Sequence, residues 1–175
     1  NSTKSIPYNN STQDFINKTL DPLFEKKQNI IGVSIRGTEY AIQKIVKDHY
    51  KPFDDVEAIK IIKNRMDEFG YEYVYLSTEQ QEYFESFKEE FGDKLISIDR
   101  QRYLQKDVEN LEFALEKKFN RKNDRYLTGL DYIADTEGLL RCDHIIGTLT
   151  NAFYYVIIRN FELNRKLELI DKGLH

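Results

Sequence analysis

The strongest constraint on this chain is a rhythm. Five short apolar runs, rich in β-branched residues, recur along it: Ile30–Ile35, Tyr73–Leu76, Leu95–Ile98, His144–Gly147 and Leu167–Ile170. Runs this short and this apolar suit strands buried on both faces. Between them lie segments with the helical period of 3.6 residues. In residues 55–69, Val56, Ile59, Ile62, Met66 and Phe69 fall on one stripe, Asp54 or Asp55 stands where an N-cap is wanted, and Gly70 stands where the helix must stop. Thr78-x-x-Gln81 has the form of a capping box, opening a helix with Phe84, Phe87 and Phe91 on its inner face and Gly92 at its end. Residues 14–27 (with Pro22 as the expected break), 125–141 and 151–163 also read as helices. Residues 101–124 read as a long surface excursion with one helix around 107–118. Strands alternating with helices in this way form βαβ units. The expected fold is therefore α/β, a Rossmann-like parallel sheet with helices on both faces. Residues 1–28 form an N-terminal lead-in with a helix, and residues 29–175 form the sheet domain.

Composition narrows the function. At 175 residues the chain is long enough for one sizeable core. Lys plus Arg total 26 and Asp plus Glu total 30, for a net charge of −4, so no general nucleic-acid or anionic-membrane binder is expected. The single cysteine, Cys142, excludes an internal disulfide and a cysteine zinc site. His49, His144 and His175 are scattered, and no Asp-x-Asp pair occurs, so no metal site is expected. The longest apolar run, Ala152–Ile158, is too short for a transmembrane segment. The chain does not begin with Met and stops abruptly, which reads as a segment of a longer protein in a cytoplasmic setting, free or peripheral at a membrane. The sequons at Asn1, Asn9, Asn10 and Asn17 read as chance clustering of polar residues.

In a sheet of this kind, ligands bind outside the carboxyl ends of the strands. Three turns qualify. Arg36-Gly37-Thr38 follows the first strand. A guanidinium there grips two phosphate oxygens at once, and Gly37 lets the backbone come close; equally, Arg36 pairs a neighbouring acid and Gly37 simply turns the chain. Ser77-Thr78-Glu79 follows the second strand, where the capping box explains Thr78 and the amides of a helix start attract anions. Gly147-Thr148-Leu149-Thr150-Asn151 follows the fourth strand, a small, hydroxyl-bearing turn suited either to capping or to cradling phosphate. There is no Walker loop, no G-x-G-x-x-G and no G-x-S-x-G. The acid-rich stretches 57–68 and 85–90 read as solvated helix faces.

Taken in order, these segments resemble a known set of motifs. Ile31-Gly32-Val33-Ser34-Ile35-Arg36-Gly37-Thr38-Glu39-Tyr40 resembles the first motif of the fucosyltransferase-like superfamily of GT-B glycosyltransferases, a strand ending in H-x-R-G-T-D. Val74-Tyr75-Leu76-Ser77-Thr78-Glu79 resembles the second, and Phe87–Ile96 the helix and strand after it. Leu140-Arg141-Cys142-Asp143-His144-Ile145-Ile146-Gly147-Thr148-Leu149-Thr150-Asn151 resembles the third, and Asp171-Lys172-Gly173-Leu174-His175 is similar to the D-x-G-L-Y ending of bacterial capsular-polysaccharide-type members. The resemblance implies one half of a GT-B fold: the nucleotide-sugar-binding, C-terminal half, with an N-terminal acceptor domain elsewhere in the chain. It implies a GDP-sugar donor, GDP-fucose typically, a glycan acceptor, a role in polysaccharide biosynthesis and no metal or other cofactor. By position Arg36 grips the diphosphate, with Thr78 and Glu79 as the second-motif contact and Thr150 and Asn151 as the third. Glu39 is the nearest candidate for the catalytic base. Ser34 stands where many members have His, Glu39 where many have Asp, and residues 41–52 replace a Pro-rich stretch. These departures motivate an alternative, a non-catalytic nucleotide-binding or protein-interaction module that keeps the fold.

Overall fold

The structure is a computed structural model that describes residues 7–37, 51, 53–108 and 116–173. Five strands form one sheet: β1 (Ile30–Ser34), β2 (Tyr73–Ser77), β3 (Leu95–Ile96), β4 (His144–Gly147) and β5 (Lys166–Leu169). All pairings are parallel and the order is β3-β2-β1-β4-β5. The six α-helices among the described residues are α1 (Asn10–Phe24), α2 (Asp55–Phe69), α3 (Gln81–Phe91), α4 (Gln105–Val108), α5 (Asp124–Leu140) and α6 (Asn151–Leu163).

The apolar runs are explained by two cores, one on each face. Strand side chains alternate between faces. Ile31, Val33 and Ile35 join Val74, Leu76 and Ile146 against Ala58 and Ile62 of α2 and Phe87 and Phe91 of α3. Ile30, Tyr75, Ile96 and Ile145 face the other way, against Ile16 and Leu20 of α1, Ala134 and Leu139 of α5, and Phe153 and Val156 of α6. The helix of the N-terminal lead-in is thus part of a core. Two glycines permit close layers. A Cβ on Gly32 of β1 would lie 2.8 Å from Cys142 Sγ, and one on Gly138 of α5 would lie 2.1 Å from the Tyr75 hydroxyl oxygen.

Several local expectations need correction. The first helix starts at Asn10, because the Asn9 side chain accepts the Thr12 amide at 2.9 Å. It runs through Pro22 and stops two residues later, since a proline so near a helix end removes little of the ladder. Asp54 is the N-cap of α2, accepting from the Glu57 amide at 2.8 Å, and Gly70 ends the helix at φ 74°. Val56 and Phe69, at the ends of the predicted stripe, are exposed rather than buried. The capping box before α3 does not form. Gln80 pairs in a parallel bridge with Tyr103, with Tyr103 N–H donating to Glu79 O at 2.8 Å and Gln81 N–H to Tyr103 O at 2.9 Å. This keeps the chain extended until Gln81, so Thr78 Oγ1 accepts from the Gln80 amide instead. The third strand is shorter than predicted, ending at Ile96. Of the helix expected around 107–118, α4 lies at its start and residues 109–115 lie outside the described residues.

Candidate functional site

The carboxyl ends of β1, β2 and β4 meet in one cleft. Ser34, Ile35 and Arg36 line it from β1, Ser77 and Glu79 from β2, and Thr150 from the turn after β4. The ladder carries β1 past its last residue, with Ile35 N–H donating to Ser77 O at 3.0 Å, and this fixes where Arg36 leaves the sheet. Arg36 is largely covered, with 19% of its side chain exposed, and its Nε lies 3.4 Å from Glu79 Oε1. The same oxygen accepts the Gly37 amide at 3.1 Å. The acid pairing expected for Arg36 is thus observed, with the guanidinium at the sheet mouth. Gly37 also has a packing role. A Cβ there would lie 2.7 Å from Gln80 Cβ, so the loop rests directly on residue 80.

On the β4 side Thr148 and Thr150 are buried. Thr150 is the N-cap residue of α6 and its side chain makes no capping bond; Thr150 N–H donates to Thr148 O at 2.8 Å. A 13-residue helix starts at Asn151, and its N-cap residue Thr150 lines the same cleft as Arg36. Thr78 is buried behind the rim. Thr38 and Glu39 lie outside the described residues, as does the side chain of Asn151.

The floor was missed by sequence reasoning. Arg100, Tyr132, Asp135, Thr136, Leu139 and Val156 complete the lining. Arg100 Nη1 hydrogen-bonds Asp135 Oδ2, with only 1% and 3% of the two side chains exposed. The Arg100 guanidinium stacks on the Tyr132 ring at 4.5 Å. Burial pushes the Asp135 carboxyl up to about 6, while Arg100 pulls the other way. Asp135 Oδ1 and Arg100 Nε have no hydrogen-bond partner among the described residues. A signal did exist: Thr128, Tyr132, Asp135 and Leu139 follow one another at helical spacing on the inner face of α5, and polar groups on a core-facing stripe call for a reason.

The cleft itself is narrow, about 20 Å³, the room of about one water. Beside it lies a groove of about 510 Å³, lined by Tyr103, Thr128 and Gly129 and sharing Tyr132 with the cleft. Its rim carries Lys117 and Arg125 together with Glu116 and Asp124. Among the described residues no cluster of three His, Cys, Asp or Glu could hold a metal, and no helix is long and apolar enough to cross a membrane.

No protein-family profile and no curated protein matches this sequence. Solved structures do match. A crystal structure of POFUT1 in complex with GDP superposes with a TM-score of 0.54 at 8% identity, over 94% of this chain and 47% of that one. The fold is like that of about half of POFUT1. The fucosyltransferase NodZ from Bradyrhizobium matches at a TM-score of 0.46 and 16% identity, over 84% of this chain and 40% of that one. The chain spans about half the length of POFUT1. The α/β, Rossmann-like sheet expected from the sequence is the fold observed, and at 8% identity the likeness to POFUT1 carries the fold alone.

Proposed function

We propose that this chain is the nucleotide-sugar-binding part of a fucosyltransferase-like glycosyltransferase, which passes a sugar from a GDP-sugar, GDP-fucose in the first instance, to a glycan acceptor in polysaccharide biosynthesis. One observation carries the reading: Arg36 at the end of β1 and the N-terminus of α6 share one cleft, on a sheet with the fold of a protein whose structure holds GDP. In the transfer, the bond between the sugar's anomeric carbon and the diphosphate oxygen breaks, and a bond to the acceptor oxygen forms as the acceptor's proton leaves to a base. The leaving diphosphate gathers negative charge. A guanidinium and a helix N-terminus fixed at that point stabilise it without a metal. Thr150 adds a hydroxyl, and the adjoining groove of about 510 Å³ has room for the nucleotide. Glu39 is the nearest candidate for the base, and a further domain of the longer protein, cytoplasmic or peripheral at a membrane, receives the acceptor.

The test is calorimetric titration of the intact protein with GDP, GDP-fucose and UDP. GDP and GDP-fucose are expected to bind and UDP to bind more weakly. No binding of GDP or GDP-fucose at millimolar concentration would overturn the reading.

A further inference from the structure

The carboxylate of Glu79 stands at the cleft, where the second-motif resemblance makes it a donor contact. Its surroundings say otherwise. Its side chain is only 5% exposed. Its Oε1 accepts the Gly37 N–H at 3.1 Å and forms an ion pair with Arg36, whose Nε lies 3.4 Å away. Its own backbone is tied down by the Tyr103 amide, which donates to Glu79 O at 2.8 Å, within the Gln80–Tyr103 bridge. Gly37 in turn rests on Gln80 so closely that no Cβ fits. The end of β1 is therefore seated on the end of β2 through backbone, glycine contact and carboxylate together. A carboxylate placed against a diphosphate would repel it, whereas the same carboxylate behind a guanidinium orients it.

We infer that Glu79 is a positioning residue for Arg36 and not a ligand of the donor: through the ion pair with its guanidinium and the bond to the next residue's amide it keeps Arg36 in the orientation that meets a nucleoside diphosphate. The inference rests on the proposed donor reading. An arginine free to sample rotamers must be ordered when the ligand arrives, and that cost falls on affinity. Removing Glu79 shifts it from folding to binding.

The experiment is a double-mutant cycle in nucleotide affinity on the intact protein, with Glu79→Ala, Arg36→Ala and the double variant, each titrated with GDP and with guanosine. Glu79→Ala is expected to weaken GDP by about 2- to 12-fold, the cost of ordering one long side chain. It should leave guanosine unchanged, because guanosine lacks the diphosphate. In the Arg36→Ala background it should change GDP affinity by less than about 2-fold. Glu79→Gln, which keeps an acceptor for the Gly37 amide and loses the charge, should fall between wild type and Glu79→Ala, and it stands in should Glu79→Ala fail to fold. An equal loss in both backgrounds, an equal loss for guanosine, or a gain in GDP affinity on removing the carboxylate would overturn the inference while leaving the donor reading intact. Failure of the wild type to bind GDP would end both.

Discussion

Gly138→Ala puts one methyl group where β2 meets α5. The new Cβ would lie 2.1 Å from Tyr75 Oη and 2.2 Å from Tyr75 Cζ, against an ordinary contact distance of about 3.5 Å. The ring would have to withdraw by more than an ångström. It has nowhere to go, because Tyr75 is fully buried at the centre of the sheet between α5 and the Phe24 ring. Overpacking of this kind costs about 1–3 kcal/mol, and these distances put it toward the upper end. Replacing a helical glycine by alanine returns about 1 kcal/mol. The net expected loss is about 1–2 kcal/mol, a fall in Tm of about 2–8 °C for a chain of this size. The sign should reverse once the ring is gone. In a Tyr75→Leu background, itself destabilised by the lost ring, Gly138→Ala should stabilise by up to about 1 kcal/mol, since only helix propensity remains. Urea unfolding of the four proteins measures this, with unchanged m-values confirming a comparison of like with like. A stabilising Gly138→Ala in the wild type, or an equal loss in both backgrounds, would refute the packing argument.

Two further outcomes follow. His144 is fully covered at the start of β4, and burial, together with nearby Lys166, lowers its pKa below the ordinary 6.5. The unfolded chain then binds the proton more readily, so stability is full above about pH 6.5 and is lost as pH falls through the lower folded value; His144→Phe should flatten unfolding free energy against pH in that window, and an unchanged slope would contradict it. Asp54→Ala removes the 2.8 Å bond to the Glu57 amide at the start of α2 and should cost about 0.5–2 kcal/mol in denaturant unfolding, Asp54→Ser much less; equal losses would show that the cap is not the cause.

The fold was legible because its signals are local. A β-branched run such as Ile30–Ile35 can be buried on both faces only in a covered sheet, and the helical stripes between such runs forbid hairpins. The rim of the site was legible for the same reason: Arg36, Ser77 and Thr150 each lie at or within three residues of a strand's carboxyl end. What stayed hidden depends on pairs far apart in sequence. Gln80 is held extended by Tyr103, which moves the start of α3 and dissolves the capping box at Thr78. Arg100 finds Asp135 across 35 residues. Gly37 reads as room for a ligand until Gln80 is seen beneath it. Asn9 reads as one of several sequon asparagines and is the N-cap of α1. Val56 keeps the stripe's spacing and is still 73% exposed, because a period places a residue on a face without saying how far the core extends along it.

The central claim is that Arg36 binds the donor's diphosphate, and it is tested most directly by the GDP affinity of Arg36→Ala and Arg36→Lys beside wild type. A charge-assisted hydrogen bond is worth about 1.5–3 kcal/mol, so Arg36→Ala should weaken GDP by roughly 10- to 150-fold. Arg36→Lys should restore only part of that, because a point charge cannot grip two oxygens at once. Both variants should remain folded, as the guanidinium stands at the sheet mouth and outside the two cores. Wild-type GDP affinity in a folded Arg36→Ala protein would contradict the account.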